Sequence, residues 1–117
     1  MITEDYVSFE TAKLLKEKGF GCGDLLYYYD KDGDLLFSAW KVDDCKNEFD
    51  APTLQMAMKW LREVHNIAIE TEWEHLWYAY VKPMTSKPSE EDYYQCESPK
   101  YEQACEEAVR YCLKNLI

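Results

Sequence analysis

Bases are scarce in this chain: 13 Lys and Arg face 23 Asp and Glu, for a net charge of −10. A surface of that sign repels phosphate backbones, and no basic stripe interleaved with aromatics offsets it. Nucleic acid is therefore not an expected partner. Long apolar runs are missing too. Nothing approaches the roughly 18 consecutive apolar residues of a membrane span. The acidic start, MITEDYVSFETAKLL, lacks the basic-then-apolar order of a secretory leader, so the expected location is the cytoplasm. Histidine occurs only at His65 and His75, and glycine four times. No Gly-x-Ser-x-Gly elbow and no glycine-rich phosphate loop can be found. The five cysteines (Cys22, Cys45, Cys96, Cys105, Cys112) are odd in number and never spaced Cys-x-x-Cys. That pattern fits reduced, mostly buried thiols better than disulfides or zinc.

The apolar share of 47% and the aromatic share of 15% are those of a folded protein. The length is that of a single globular domain, 1–117, with its own core. Ser8 is a good N-cap for a helix over FETAKLLKEKGF, with Phe9, Ala12 and Leu15 inward, Gly19 as its left-handed stop and Phe20 folding back on Leu15. Leu25–Tyr29 and Asp34–Lys41 flank the turn Asp30-Lys31-Asp32-Gly33, a hairpin in which Gly33 takes positive φ. Val42–Ala51 reads as a connecting loop. A second helix is expected from about Pro52 to His65, with Leu54, Ala57, Met58, Leu61, Val64 and His65 at helical spacing and Asn66 as its stop.

Ile67, Ile69 and Thr71 alternate with Ala68, Glu70 and Glu72, the period of a half-buried strand. Leu76–Lys82 would pair with it through a turn near Trp73–His75. Pro83 to Pro99, with three prolines and many acids, reads as a mobile loop at about 83–99. Tyr101, Ala104, Cys105, Ala108, Cys112 and Leu116 stripe a closing helix. The order α-β-β-α-β-β-α describes an α+β fold, an antiparallel sheet with helices packed mainly on one face. Two hairpins each followed by a helix hint at a duplicated unit, although the halves share no residue pattern.

Three constellations could carry chemistry. Asp30, Asp32 and Asp34 imitate the opening of a calcium loop, but Leu35 stands where that loop needs Gly and Lys41 where it needs Glu. A hairpin turn explains them better. The histidines read as structural, and Glu70 with Glu72 as a solvated edge rather than an acid–base couple. The aromatics are the remaining excess, 10 Tyr and 4 Trp, many of them on the two hairpins. Strands send neighbouring residues to opposite faces, so some rings must face away from the helices. β-propensity and core filling would account for many of the rings; otherwise Tyr27, Tyr29, Tyr78 and Tyr80 are the candidate patch, closed by self-association as a dimer, by a protein partner or by the 83–99 loop. No catalytic residue, metal ligand or cofactor is expected.

Val7 to Phe20 (VSFETAKLLKEKGF), Ala51-Pro52-Thr53-Leu54 followed by Lys59-Trp60-Leu61-Arg62-Glu63, and the ending Tyr101 to Ile117 together resemble small uncharacterised proteins of gut Bacteroidetes and of their phages and mobile elements. That group carries no assigned activity, so the resemblance assigns no site residue. It implies accessory genes of phage or prophage, whose small products act by binding. The expectation is a non-enzymatic binding or interaction module. The alternative is an inhibitor of a host defence factor, acting by acidic DNA mimicry or nucleotide sequestration.

Overall fold

Ser8 opens the first helix in the computed structural model of the chain, which describes residues 2–21, 27–37, 48–87 and 93–117. Its Oγ accepts the Thr11 backbone N–H at 3.2 Å, starting α1 (Phe9–Glu17). At the other end Phe20 N–H reaches Leu15 C=O at 2.9 Å and Gly19 N–H reaches Lys16 C=O at 3.1 Å, with Gly19 at φ +94°. This pair of bonds is the Schellman closure, which needs a left-handed residue at Gly19. Both ends of α1 are as the sequence predicts.

The chain divides into two compact units, Met1–Thr53 and Leu54–Ile117. In the first, β1 (Tyr27–Tyr29) lies between β2 (Leu35–Phe37) and β3 (Phe49–Asp50), all antiparallel. The β1–β2 turn is held by Asp30, whose Oδ1 accepts the N–H groups of Asp32 (3.0 Å) and Asp34 (2.9 Å), with Gly33 at φ +86°. The carboxylate that would lead a calcium loop is thus engaged by the turn's own amides. Phe9 of α1 packs on Tyr29 and Phe49, ring centroids 5.5 and 5.6 Å away. Leu25, Leu26, Trp40, Lys41, Cys22 and Cys45 lie outside the described residues.

In the second unit, α2 (Leu54–His65) is followed by the meander β4 (Ile67–Trp73), β5 (Trp77–Pro83), β6 (Tyr94–Ser98) and then α3 (Tyr101–Asn115). The α+β class and the antiparallel pairing hold, but the strands form two three-stranded sheets rather than one. Two strands arise where loops were expected. β3 falls inside the stretch read as a connection, and β6 inside the stretch read as a mobile loop; residues 88–92 of that stretch lie outside the described residues. The strand orders, β2-β1-β3 and β4-β5-β6, differ, so the hint of a duplicated unit does not carry through.

Helix α2 starts at Leu54, later than Pro52, for a tertiary reason. Pro52 C=O accepts the Val7 N–H at 3.0 Å and Thr53 bridges Tyr6, so both residues are engaged by the segment ahead of α1. Leu54, Ala57, Met58 and Leu61 are its buried stripe, while Val64, expected to join it, is 57% exposed. Asn66 ends the helix at φ +56°, as predicted. The β4–β5 turn has no Gly because His75 takes the left-handed conformation itself, φ +67°, a region where His is more tolerated than most residues.

The core of this unit lies between α3 and the sheet. Ala104, Cys105, Ala108, Val109, Cys112 and Leu113 are buried on the helix, and Ala79, Val81 and Cys96 on the sheet. Val109 and Leu113 widen the stripe beyond the residues read from spacing. Tyr94 of β6 stacks on Tyr111 of α3, centroids 3.7 Å apart, and Trp77 meets Tyr101 edge-on. Ser98 joins strand to helix: its Oγ accepts the Lys100 N–H and donates to Gln103 Oε1.

Candidate binding face on the second sheet

With Ala79 and Val81 buried beneath α3, strand alternation turns Tyr78, Tyr80 and Lys82 to the other side of β5. The registers then fix their neighbours. Glu72 of β4, Tyr78 and Glu97 of β6 form one row, and Glu70, Tyr80 and Gln95 the next; Ala68 pairs with Lys82 beyond them. Glu70, Glu72, Gln95 and Glu97 are all exposed.

The row around Tyr80 is tied together. Lys82 Nζ donates to Glu70 Oε2 at 2.6 Å and stands 5.8 Å from the centre of the Tyr80 ring. Tyr80 Oη donates to Glu72 Oε2 at 3.4 Å. The Tyr78 and Tyr80 rings run nearly parallel, 13° apart in plane, with centroids at 6.3 Å. Glu70, Thr71, Glu72, Tyr80 and Lys82 line an open hollow of about 360 Å³. The hydrogen bond it donates to Glu70 raises the Lys82 ammonium above its ordinary range, and the Glu70 charge adds to this. Partial desolvation, then the charge of Glu72, raises the Tyr80 phenol. The face thus brings together one lysine, three glutamates and two tyrosines.

The other two tyrosines of the expected patch belong to the first sheet, on β1. Tyr29 is held structurally, its Oη donating to Val7 C=O at 2.6 Å and its ring against Phe9. Tyr27 packs between Tyr6 and Phe37, at 4.7 and 5.3 Å. Tyr78 and Tyr80, with Glu70 and Glu72 at their edge, are the pair that the hairpin pattern places together. Glu97 and Gln95 escape sequence reasoning because β6 does; the alternation of Tyr94, Cys96 and Ser98 with Gln95 and Glu97 is the signal that would have found them.

No family model, no curated protein and no solved structure matches this chain. What the side chains can do is accordingly read from their geometry alone.

Nucleophilic chemistry finds little support among the described residues. Cys96, Cys105 and Cys112 are free and buried. Burial pushes the Cys96 thiol up to about 11 and that of Cys112 up to about 12, and raises Cys105 as well. Each is held as the unreactive thiol. The Cys96 Sγ–H donates to Ala104 C=O at 3.3 Å, a bond between β6 and α3. His65 sets its ring edge-on to Trp60, centroids 4.6 Å apart, and its buried Nε2 has no hydrogen-bond partner among the described residues. It borders a cleft of about 410 Å³ lined also by Asn66, Pro83, Met84 and Leu116. Among the described residues no carboxylate or thiol lines that cleft with it. His75 stands at the tip of the β4–β5 hairpin beside Trp73. No group of three or more His, Cys, Asp and Glu suited to a metal ion is formed among the described residues. None of the described helices is long and apolar enough to cross a membrane.

Proposed function

We propose that this protein is a non-enzymatic, cytoplasmic binding module of phage or prophage origin, and that the outward face of β4-β5-β6 is its working surface. The observation that carries this reading is the pair Tyr78 and Tyr80, set side by side on the face away from α3 and edged by Glu70, Glu72 and Glu97. Tyr combines a large contact area with a polar tip and loses little conformational freedom on binding, which is why it is enriched at interfaces. Core filling does not account for these two rings, because the opposite side of β5 supplies the core through Ala79 and Val81.

A copy of the same chain is the simplest occupant for such a face, but pairing through it sets the three carboxylates against their own copies with one lysine each to offset them. Like charges brought together across an interface cost affinity. The face is better suited to a different protein. The test is capture of host proteins by immobilised wild type and by Tyr78→Ser/Tyr80→Ser, with circular dichroism confirming that both are folded. The reading requires a captured protein that the double variant loses. Capture that is unchanged by the double variant would refute it. Light scattering over a dilution series, expected to show no mass increase that depends on Tyr78 and Tyr80, checks the self-association alternative.

A further inference from the structure

Two adjacent rows on this face each set a tyrosine beside a glutamate of β4, and one of them already holds a cation. At the Tyr80 row, the ammonium of Lys82 sits against a carboxylate (Glu70, 2.6 Å) and within cation–π range of the ring (5.8 Å). At the Tyr78 row, a phenol ring is flanked on both sides by carboxylates, Glu72 on β4 and Glu97 on β6. Adjacent strands lie roughly 4.8 Å apart, so a cation above Tyr78 would be within reach of either acid. Among the described residues no Lys or Arg pairs with Glu72 or Glu97. The second seat repeats the tyrosine and the β4 glutamate of the first, adds a carboxylate on β6, and has no cation of its own among the described residues.

We infer that the Tyr78 row binds a guanidinium or ammonium supplied by an extended basic segment of a partner protein, with Lys82 as the internal counterpart of the incoming group. This inference rests on the reading of the face as a binding surface and adds the chemistry of the partner. A guanidinium fits the seat especially well: its plane stacks on a phenol while its fork engages a carboxylate, two contacts that an ammonium cannot make together so well. The net charge of −10 speeds encounter with a basic segment and repels an acidic one.

The probe is an acetylated peptide of alternating Gly and Arg, compared with the same peptide carrying citrulline, which keeps the shape and loses the charge. Amide NMR titration of the full chain reads both affinity and site. The arginine peptide is expected to shift residues 70–72, 78–82 and 95–97, and to bind at least about tenfold more tightly than the citrulline peptide at low salt, weakening as salt rises. Glu72→Gln/Glu97→Gln should weaken it about tenfold. Lys82→Gln should instead tighten it, because it frees Glu70 and Tyr80 to act as a second seat. Equal affinity for the two peptides, or shifts confined to other surfaces, would overturn the inference. Such a result together with a Tyr78- and Tyr80-dependent host protein would leave the binding-face reading in place, whereas capture indifferent to both tyrosines would remove that reading itself.

Discussion

Removing Cys22 and Cys45 by substitution with Ser leaves a chain whose only thiols are Cys96, Cys105 and Cys112, and these should be nearly inert in the folded state. They are 6%, 0% and 0% exposed. Disulfide-exchange reagents attack the thiolate. At pH 8 an ordinary thiol of pKa 9 is about one-tenth ionised; a value of about 11 at Cys96 leaves about one in a thousand, and about 12 at Cys112 about one in ten thousand. Ionisation alone thus slows attack by about a hundredfold and a thousandfold, before access is considered. Labelling must then pass through opening. For a unit stable by about 5 kcal/mol the open population is about 10⁻⁴, so labelling should be slow and should accelerate with denaturant in step with unfolding. The assay is reaction with a chromogenic disulfide at pH 8: no fast phase in buffer and three equivalents in denaturant. One equivalent or more reacting at once in buffer would refute the placement of these residues between α3 and the sheet. The same groups set an alkaline limit. Their folded pKa values lie above the unfolded ones, so the stability they contribute is complete below the unfolded value, near 9. It is then lost as pH rises towards 11 and 12. Tyr94 and Tyr101, raised first by burial, act in the same direction. Denaturation midpoints should be level from pH 6 to 8 and fall above about 9.

Other expectations are simpler to check. Leu61→Ala and Leu15→Ala, both at fully buried positions, should each cost about 2–5 kcal/mol in denaturant melts; a loss under about 1 kcal/mol at either would mean that its helix face is wrongly placed. Gly33→Ala should destabilise more than Gly19→Ala. Both have positive φ, but a Cβ at Gly33 would lie 3.0 Å from the Phe9 ring whereas Gly19 has open space; equal costs would discount that contact. Tyr29→Phe should cost about 1 kcal/mol through loss of the bond to Val7 C=O, and a neutral result would show water replacing it. Elemental analysis should find no stoichiometric zinc or calcium, and a chelator should leave the melting temperature unchanged.

Features governed by neighbouring residues were legible in the sequence. The Ser8 cap, the Gly19 and Asn66 stops and the bulged turn at Gly33 are matters of local hydrogen bonding and φ, and each is where its residues imply. The Tyr78 and Tyr80 face was legible for a related reason: alternation along one strand fixes the side to which each ring points. Distant pairings were not. Pro52 marks a helix start by its own chemistry, yet the N–H of Val7 claims its carbonyl and delays the helix. β6 has the right alternation, but it lies between Pro88 and Pro99 and is stabilised by β5 and α3, which no local pattern reports. With β6 unseen, Glu97 was unseen, and so was the second acid beside Tyr78. Tyr29 looked available because only the fold brings Val7 C=O to its hydroxyl.

The two sheets also differ in how their strands are wired, and this bears on the time course of folding. In Leu54–Ile117 every strand pairs with the next in sequence, β4 with β5 and β5 with β6, and α3 then packs back on the strands just made. Such near-neighbour wiring requires little loop closure before contacts begin to reinforce one another, the condition for rapid assembly. In Met1–Thr53 the central strand is β1, and β3 must return past β2 to reach it. The bridge from Tyr6 to Thr53 spans almost the whole unit. These contacts close longer loops, so they cost more chain entropy before they form. The outward tyrosine face would thus be complete while the N-terminal unit is still closing its last strand.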